Sequence, residues 1–492
     1  MALDSLPVEL IHSIVAYLEP KDLYPLRLVC RRLCAIASSR VMKTLAFCLC
    51  KSDLEVLNGI ATCTNYPGGH GAAEHVTSLI YFAEMLSSKR HDFAAYARAV
   101  ECYRFTDAEL RDHFDIYKRL FAEQQEIVSQ NPDFPILEQL IAKLPNLEEI
   151  QVTSSPGWAG TWEPPEEIYE QDGWHVRKSW PFRRNMIQHT DIISGCGVEQ
   201  ADGPSRHVRA LLRGIHKAGT LKLRTIRLRG MQHSFFDRKP QFGGGLADIT
   251  TPLLANVTFF ELSVDALAPW DCDGEMYQTE GDGDLRDRYT LRPHLLANGS
   301  ICKTTMRQGG VLRTALLGMP NLTTLRLVIF GCIPYWKLTN GICNPPCLED
   351  MIDPQQSWPN LQSLTLEGMY CQQEQLVHII VAAKSSLVKL ELNRIRLLNG
   401  SWPKLLPQLK DGLEGRRVDV SLEGDVVMLQ DWPDDTGPRW SREWDIKGGS
   451  HGAAIRNYFN DPAVQEVPLE DGLRARSRWT FSDFDDSSSD ND

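Results

Sequence analysis

Several groupings in this 492-residue chain contain the residue types that chemistry uses, and each falls short on spacing. Cys343-x-x-x-Cys347 encloses Pro345-Pro346, with Cys332 and Cys371 at a distance. Zinc sites pair two tight Cys/His couples, and no second couple follows here, so these thiols read as core or loop cysteines. Cys48-x-Cys50 lies in an apolar run and reads as core. Asp271-x-Asp273-Gly274 begins like a calcium loop without the spacing or the closing Glu of one. Pro67-Gly68-Gly69-His70-Gly71 is glycine-rich yet lacks the Gly-Lys-Ser/Thr that cradles phosphate. His70, His75 and His451 sit in or near Gly-rich loops, with no Ser or Cys in a nucleophile elbow to activate. A cysteine-type transferase would need a reactive, partly exposed thiol, which a sequence does not display. The residues therefore nominate no catalytic, cofactor-binding or metal-binding set, and no cofactor is expected.

Bulk properties narrow the partners. The formal net charge is -12, and with no long Lys/Arg run the chain is not expected to bind nucleic acid, whose phosphates require a basic face. Met1–Leu10 carries Asp4 and Glu9 and no basic leader, so no secretory signal is expected. The apolar stretches Val41–Cys50 and Leu325–Cys332 are shorter than the roughly 18 residues a membrane helix needs. No membrane partner is expected, and the expected location is cytoplasmic, nuclear or both, with the thirteen cysteines reduced.

What remains is apolar recognition, and it is densest at the start. Pro7 suits the first turn of a helix, and Val8, Ile11, Ile14, Val15 and Leu18 recur at helical spacing until Glu19-Pro20. Asp22 can cap a second helix that tolerates Pro25 in its first turn, with Leu23, Leu26, Val29, Cys30, Leu33 and Ala37 on its apolar positions. Two such helices hold more apolar surface than they can hide from each other. The pair must dock on the rest of the chain, on a partner, or on both.

The ordered set Leu6-Pro7-x-Glu9-Leu10, Ile14-x-x-Tyr17-Leu18-x-Pro20-x-Asp22-Leu23 and Leu26-Arg27-x-Val29-Cys30-Arg31 resembles the F-box family along its whole length. Family members often have Trp where this chain has Leu33, a departure that keeps the apolar character. The resemblance implies a three-helix segment, residues 1–45, that binds a Skp-type adaptor and through it a cullin. Carried over by position, it implies that Leu6, Pro7, Ile11, Ile14, Leu18, Leu23, Leu26, Val29 and Cys30 form the F-box core and the adaptor-facing surface, without dividing them between the two. Arg27, Arg31 and Arg32 read as a solvated face.

Downstream, residues 46–143 read as a helical connecting region, with Thr77–Leu86 and Asp107–Gln130 as its clearest helices. From residue 144 an L-x-x-L-x-L pattern recurs, often after Pro-Asn, with its first apolar residue at Leu147, Leu223, Val257, Leu322, Leu361 and Leu387. The gaps are 76, 34, 65, 39 and 26 residues, against about 20–29 for leucine-rich repeats. The expected fold is thus mixed α/β. An N-terminal three-helix F-box precedes an irregular leucine-rich-repeat-like solenoid over 144–425, with long insertions at 153–206, 264–312 and 331–357. Helices near 206–218 and 372–383 would cover its strands. An ordinary α/β domain with similar strands is the alternative. Trp158, Trp162, Trp174 and Trp180 in the first insertion are candidates either for target contact or for packing the loop. Residues 426–480 are expected to pack on the repeats, and 481–492, rich in Ser and Asp, to be disordered.

The function these expectations support is a non-catalytic subunit of a Skp–cullin–F-box ubiquitin ligase that recruits an unknown protein substrate. The alternatives are an F-box protein acting outside a ligase, in a structural or trafficking role, and an enzyme of unknown class.

Overall fold

A computed structural model describes residues 6–18, 20–62, 72–82, 85–86, 92–99, 106–153, 174–175, 193–194, 203–219, 222–232, 253–265, 307, 310–330, 346–353, 355–413, 416–429, 441–446, 450–461 and 463–464. The described chain divides into two compact units, Met1–Leu322 and Thr323–Asp492.

The first unit opens with three helices, α1 (Val8–Ala16), α2 (Pro20–Leu26) and α3 (Arg31–Val41). The second helix expected from Asp22 onward is broken. Arg27–Cys30 interrupts it, and Cys30 starts α3 as its N-cap, with the thiol accepting from the Leu33 N–H at 3.5 Å. α3 reaches the first strand, β1 (Thr44–Cys48), through Met42 and Lys43 alone. After α4 (Lys51–Thr62) come β2 (Ser78–Phe82) and the two-residue β3 (Met85–Leu86). Then follow α5 (Phe93–Ala99), α6 (Asp107–Gln130), α7 (Asp133–Ala142) and β4 (Glu149–Thr153). Short strands β5 (Trp174–His175) and β6 (Ile193–Ser194) precede α8 (Gly203–Ala218), β7 (Thr225–Gln232), β8 (Phe259–Asp265) and α9 (Val311–Leu317).

Six strands of this unit lie side by side as β5-β1-β2-β4-β7-β8, all parallel, while β3 and β6 pair antiparallel with each other. The L-x-x-L-x-L copies fall in register: Ile150 opposes Ile226, which opposes Phe260, and Val152, Leu228 and Leu262 align likewise. Their leading residues Leu147, Leu223 and Val257 are buried. The same pairing repeats at the start of each strand. Lys43 O accepts from Thr77 and Ser78, Thr77 O from Glu148 and Glu149, Glu148 O from Arg224 and Thr225, and Arg224 O from Thr258 and Phe259. The asparagines of two Pro-Asn-Leu copies tie neighbouring turns together, Asn146 donating to Glu74 O and Asn321 to Ala255 O, both at 2.8 Å.

The helical reading of 46–143 needs correction. Thr77–Leu86, expected as a helix, forms β2 and β3, and the parallel sheet starts at Thr44 rather than near residue 144. The cause lies in what covers the strands. β1 and β2 are buried on both faces, because α5 and α6 lay Tyr96, Phe114, Tyr117 and Leu120 over Ala46, Cys48, Ile80 and Phe82. A strand buried on two faces loses its alternation and reads as a continuous apolar run. Asp107–Gln130 is helical as expected, and Thr106 caps it: Thr106 and Glu109 satisfy each other's backbone N–H.

The far face of the sheet packs on α7 and α8, which are joined by buried charges. Arg206 donates to both carboxylate oxygens of Asp133, at 2.6 and 2.7 Å. Nearer the surface, Lys217 and Arg213 hold Glu138 at 2.5 and 2.6 Å. The Lys217 hydrogen bond, with help from Arg213, keeps the Glu138 carboxyl below the usual carboxylate value of 4.5. A carboxyl lowered on folding adds stability above its unfolded pKa and loses it as pH falls through the folded one. We therefore expect Glu138→Gln to destabilise the protein at pH 7 by about 0.5–1 kcal/mol. The deficit should vanish as pH falls below 4.5, read by urea unfolding across pH.

The second unit repeats the design. Parallel strands β9 (Thr324–Phe330), β10 (Ser363–Glu367), β12 (Lys389–Asn393) and β14 (Asp419–Leu429) align Leu325, Leu364, Leu390 and Val420 in one row. A second row is Leu327, Leu366, Leu392 and Leu422. Short β13 (Arg396–Asn399) runs parallel against the second half of β14 and β11 (Tyr370–Gln372) parallel against β13, while β15 (Ser441–Ile446) pairs with β14 antiparallel. Helices α10 (Leu348–Met351), α11 (Gln373–Ala382) and α12 (Trp402–Gly412) flank the strands. The C-terminal α13 (Ser450–Asn460) packs on β14 and buries Ile455 and Tyr458, while Lys410 sits 4.3 Å from the Tyr458 ring.

Gly368 turns the chain between β10 and β11 with φ +70°, and a Cβ there would meet Ile329 O at 2.2 Å. The clash is with backbone and cannot be relieved by a side-chain rotation. Gly368→Ala is expected to lower stability by about 2 kcal/mol or more, seen as an earlier urea midpoint with unchanged slope.

Candidate functional site: an uncovered apolar surface on the first three helices

Glu9, His12 and Ser13 form a polar stripe on α1, and the rest of the helix is a broader apolar arc than packing on one side can bury. One face points inward: Ile11 and Val15 join Leu23, Leu33, Ile36 and Ala37 in a small closed core, with Leu6, Leu18, Leu26 and Cys30 packed against it. Arg40 of α3 reaches back to donate to Val15 O at 2.5 Å, fixing the end of α1. The neighbouring face of α1, Pro7, Leu10, Ile14 and Tyr17, faces solvent, with Tyr17 90% exposed.

The break between α2 and α3 exposes further apolar side chains. Core contacts from this stretch come at Leu23, Leu26, Cys30 and Leu33, so the intervening Leu28 and Val29 turn outward, 88% and 66% exposed. Among the described residues eight large apolar side chains are exposed, and six of them lie between Val8 and Val29. Isolated exposed leucines are ordinary on protein surfaces, whereas this concentration between Val8 and Val29 is of the kind that marks interaction sites.

The nine residues carried over from the resemblance thus divide into three groups. Ile11 and Leu23 are fully buried, Leu6, Leu18, Leu26 and Cys30 are half-buried supports, and Pro7, Ile14 and Val29 face outward. Val8, Leu10, Tyr17 and Leu28 also face outward and were not among the nine. Leu10 and Tyr17 stood within the quoted motif, and Pro7, Leu10, Ile14 and Tyr17 fall at i, i+3, i+7 and i+10, so their helical phase marked the outer stripe. For Leu28 the signal was weaker, because the interruption of the helix had to be known first.

The groups first considered for chemistry lie elsewhere. Cys48 and Cys50 are buried; burial and the nearby Asp53 carboxylate push the Cys50 thiol up to about 12. Burial likewise raises Cys371, with Cys347 beside it. Such thiols are the opposite of an activated nucleophile, whose pKa is lowered. Among the described residues no group of three or more His, Cys, Asp or Glu side chains is placed to hold a metal ion. No described helix is long and apolar enough to cross a membrane. Cys332, Cys343, the loop 67–71, the acidic run at Asp271, Trp158, Trp162, Trp180 and the tail 481–492 lie outside the described residues. Trp174 does not: as part of β5 it pairs with Leu45 at the edge of the sheet.

Residues 3–47 match the model of the F-box-like family. The chain therefore carries an F-box-like domain at its start, formed by α1, α2, α3 and β1. No curated protein matches the chain.

Proposed function

We propose that this protein is the substrate-recognition subunit of a Skp–cullin–F-box ubiquitin ligase. The observation that carries the reading is the outward apolar surface of Leu10, Ile14, Tyr17, Leu28 and Val29 on an F-box-like domain. A Skp-type adaptor would cover these side chains and link the chain to a cullin. Burying one Leu or Ile contributes roughly 1.5–3 kcal/mol, so a few such anchors can hold a complex after the cost of association.

On this reading the chain contributes no residue chemistry. Its catalytic effect is to hold a target near a loaded conjugating enzyme, which converts a bimolecular encounter into a local one. The target would be a protein held by the strand-and-helix units. Their in-register apolar rows and repeated hydrogen-bond steps support an irregular, leucine-rich-repeat-like scaffold. Its working place would be the cytoplasm or nucleus, where the buried thiols of Cys48, Cys50, Cys347 and Cys371, held in no disulfide, stay reduced.

The test is affinity purification of the full chain, with and without residues 1–47, followed by mass spectrometry and a reconstituted ubiquitylation assay. We expect adaptor and cullin to co-purify only with the full chain, and a co-purified protein to become ubiquitylated. An adaptor without cullin would overturn the ligase role, and neither would overturn the reading altogether.

A further inference from the structure

We infer that Arg394 contacts the target, its guanidinium taking an oxyanion, the carboxylate or phosphate of a target side chain, at the carboxyl ends of β10 and β12. This rests on the target-recognition reading above and names the group on each side of the contact. The same turn occurs twice in the second unit. Glu367 and Asn393 are register partners at the ends of β10 and β12, and Tyr370 and Arg396 are partners where β11 and β13 begin. Between them stand Gly368-Met369 in one turn and Arg394-Ile395 in the other, with Met369 and Ile395 both fully buried. The first residue of each pair is left-handed, Gly368 at φ +70° and Arg394 at φ +53°.

Glycine adopts that conformation without penalty, whereas a residue with a Cβ does not. Among the described residues Asn131 is the other non-glycine with positive φ, and asparagine tolerates it where it ends a helix. Arginine thus weakens a turn that glycine would satisfy, and its side chain returns little to the fold. It is half-buried, and the Glu367 carboxylate lies 4.0 Å away, at the outer limit of an ion pair. Backbone strain of this kind collects at functional sites. Arg326 also approaches Glu367, at 3.8 Å, so Arg394 can turn to an incoming oxyanion without stranding that carboxylate. The planar guanidinium matches such a group with two parallel hydrogen bonds. Beside it, the Asn393 side-chain oxygen is shielded from solvent and has no hydrogen-bond partner among the described residues. A protein target supplies both needs, an oxyanion from a side chain and an N–H from the backbone next to it.

The experiment compares the wild-type full chain with Arg394→Gly, Arg394→Lys and Asn393→Ala by affinity purification with quantitative mass spectrometry. Each captured protein is then purified and titrated against the four chains. Adaptor and cullin should co-purify equally with all of them. At least one captured protein should bind Arg394→Gly about tenfold more weakly than wild type or worse, the worth of one charged hydrogen-bonded contact. Arg394→Lys keeps the charge, loses the fork and should fall between the two. Asn393→Ala should weaken the same complex about threefold. The urea midpoint of Arg394→Gly should rise with unchanged slope, because the turn gains a residue that its φ favours. Phosphatase treatment of the captured protein separates the two oxyanions: lost binding assigns a phosphate, retained binding a carboxylate. Affinities that Arg394→Gly leaves within about twofold overturn the inference and leave the ligase reading standing. A lowered urea midpoint does the same, since Arg394 would then serve the fold. Adaptor and cullin with no further captured protein overturn both, and a target captured without adaptor overturns the ligase reading alone.

Discussion

Ile14→Asp combined with Leu28→Asp should weaken adaptor binding at least 100-fold while leaving the fold intact. Both side chains already face solvent, so the substitutions remove no core contact and folding stability should move by less than about 1 kcal/mol. In the complex the same two positions would have to bury a carboxylate. The loss of two apolar anchors at roughly 1.5–3 kcal/mol each exceeds the 2.7 kcal/mol or so that corresponds to 100-fold in affinity, before any desolvation of the new charges. Calorimetric titration with the purified adaptor measures the first effect and a thermal melt the second. An affinity within a few-fold of wild type would remove the support for the docking surface. Ile11→Ala is the wrong probe, because Ile11 is fully buried in the F-box core and its loss would unfold what is being tested.

The second large effect is on stability. Asp133→Ala should cost about 3–5 kcal/mol, the range seen when one partner of a buried ion pair is removed. Asp133 is completely buried and Arg206 nearly so; the guanidinium donates twice to the carboxylate and once to Asn131 Oδ1 at 2.9 Å, and lies 5.0 Å from the Phe134 ring. Without the carboxylate, a buried cation loses its counter-charge at the junction of α7 and α8. The double variant Asp133→Leu with Arg206→Met should recover most of the loss, since an apolar pair of similar volume needs no compensation. Urea unfolding of the single and double variants reads both. Equal stability of Asp133→Ala and wild type would show that the pair holds nothing.

The strands were legible in the sequence wherever only one face is apolar, even where the polar face is buried too, as at Gln151, Thr153, Glu261 and Ser263. Leu147, Ile150 and Val152, and their counterparts through Leu387, Leu390 and Leu392, alternate with polar residues because the sheet's second face is polar there; Gln151 and Arg227 sit between them. Where α5 and α6 cover that second face, Leu79-Ile80-Tyr81-Phe82 became a solid apolar run, and the helical period fitted it as well as the strand period did. The long, strongly periodic α6 was legible in both its bounds.

The site was legible as a surplus of apolar positions but not as a surface. Sequence spacing grouped Ile11 with Ile14 and Leu23 with Val29, and the fold separates each pair, one residue inward and one outward. The deciding event is the break at Arg27–Cys30, which has no strong local marker. Pro25 stands before it, inside α2, and Cys30 is an uncommon N-cap.

Only Met42 and Lys43 separate α3 from β1; Met42 is buried, and the Lys43 carbonyl is clamped by the amides of Thr77 and Ser78. Two residues reach about 7 Å at most, too short and too well tied to act as a swivel. On the proposed reading the splice behaves as a weld rather than a leash. A target held by the first unit would then be offered to the ubiquitin-loaded enzyme on a fixed bearing. Which lysine is modified would be decided by where along the strands the target sits, not by a search through a tethered volume.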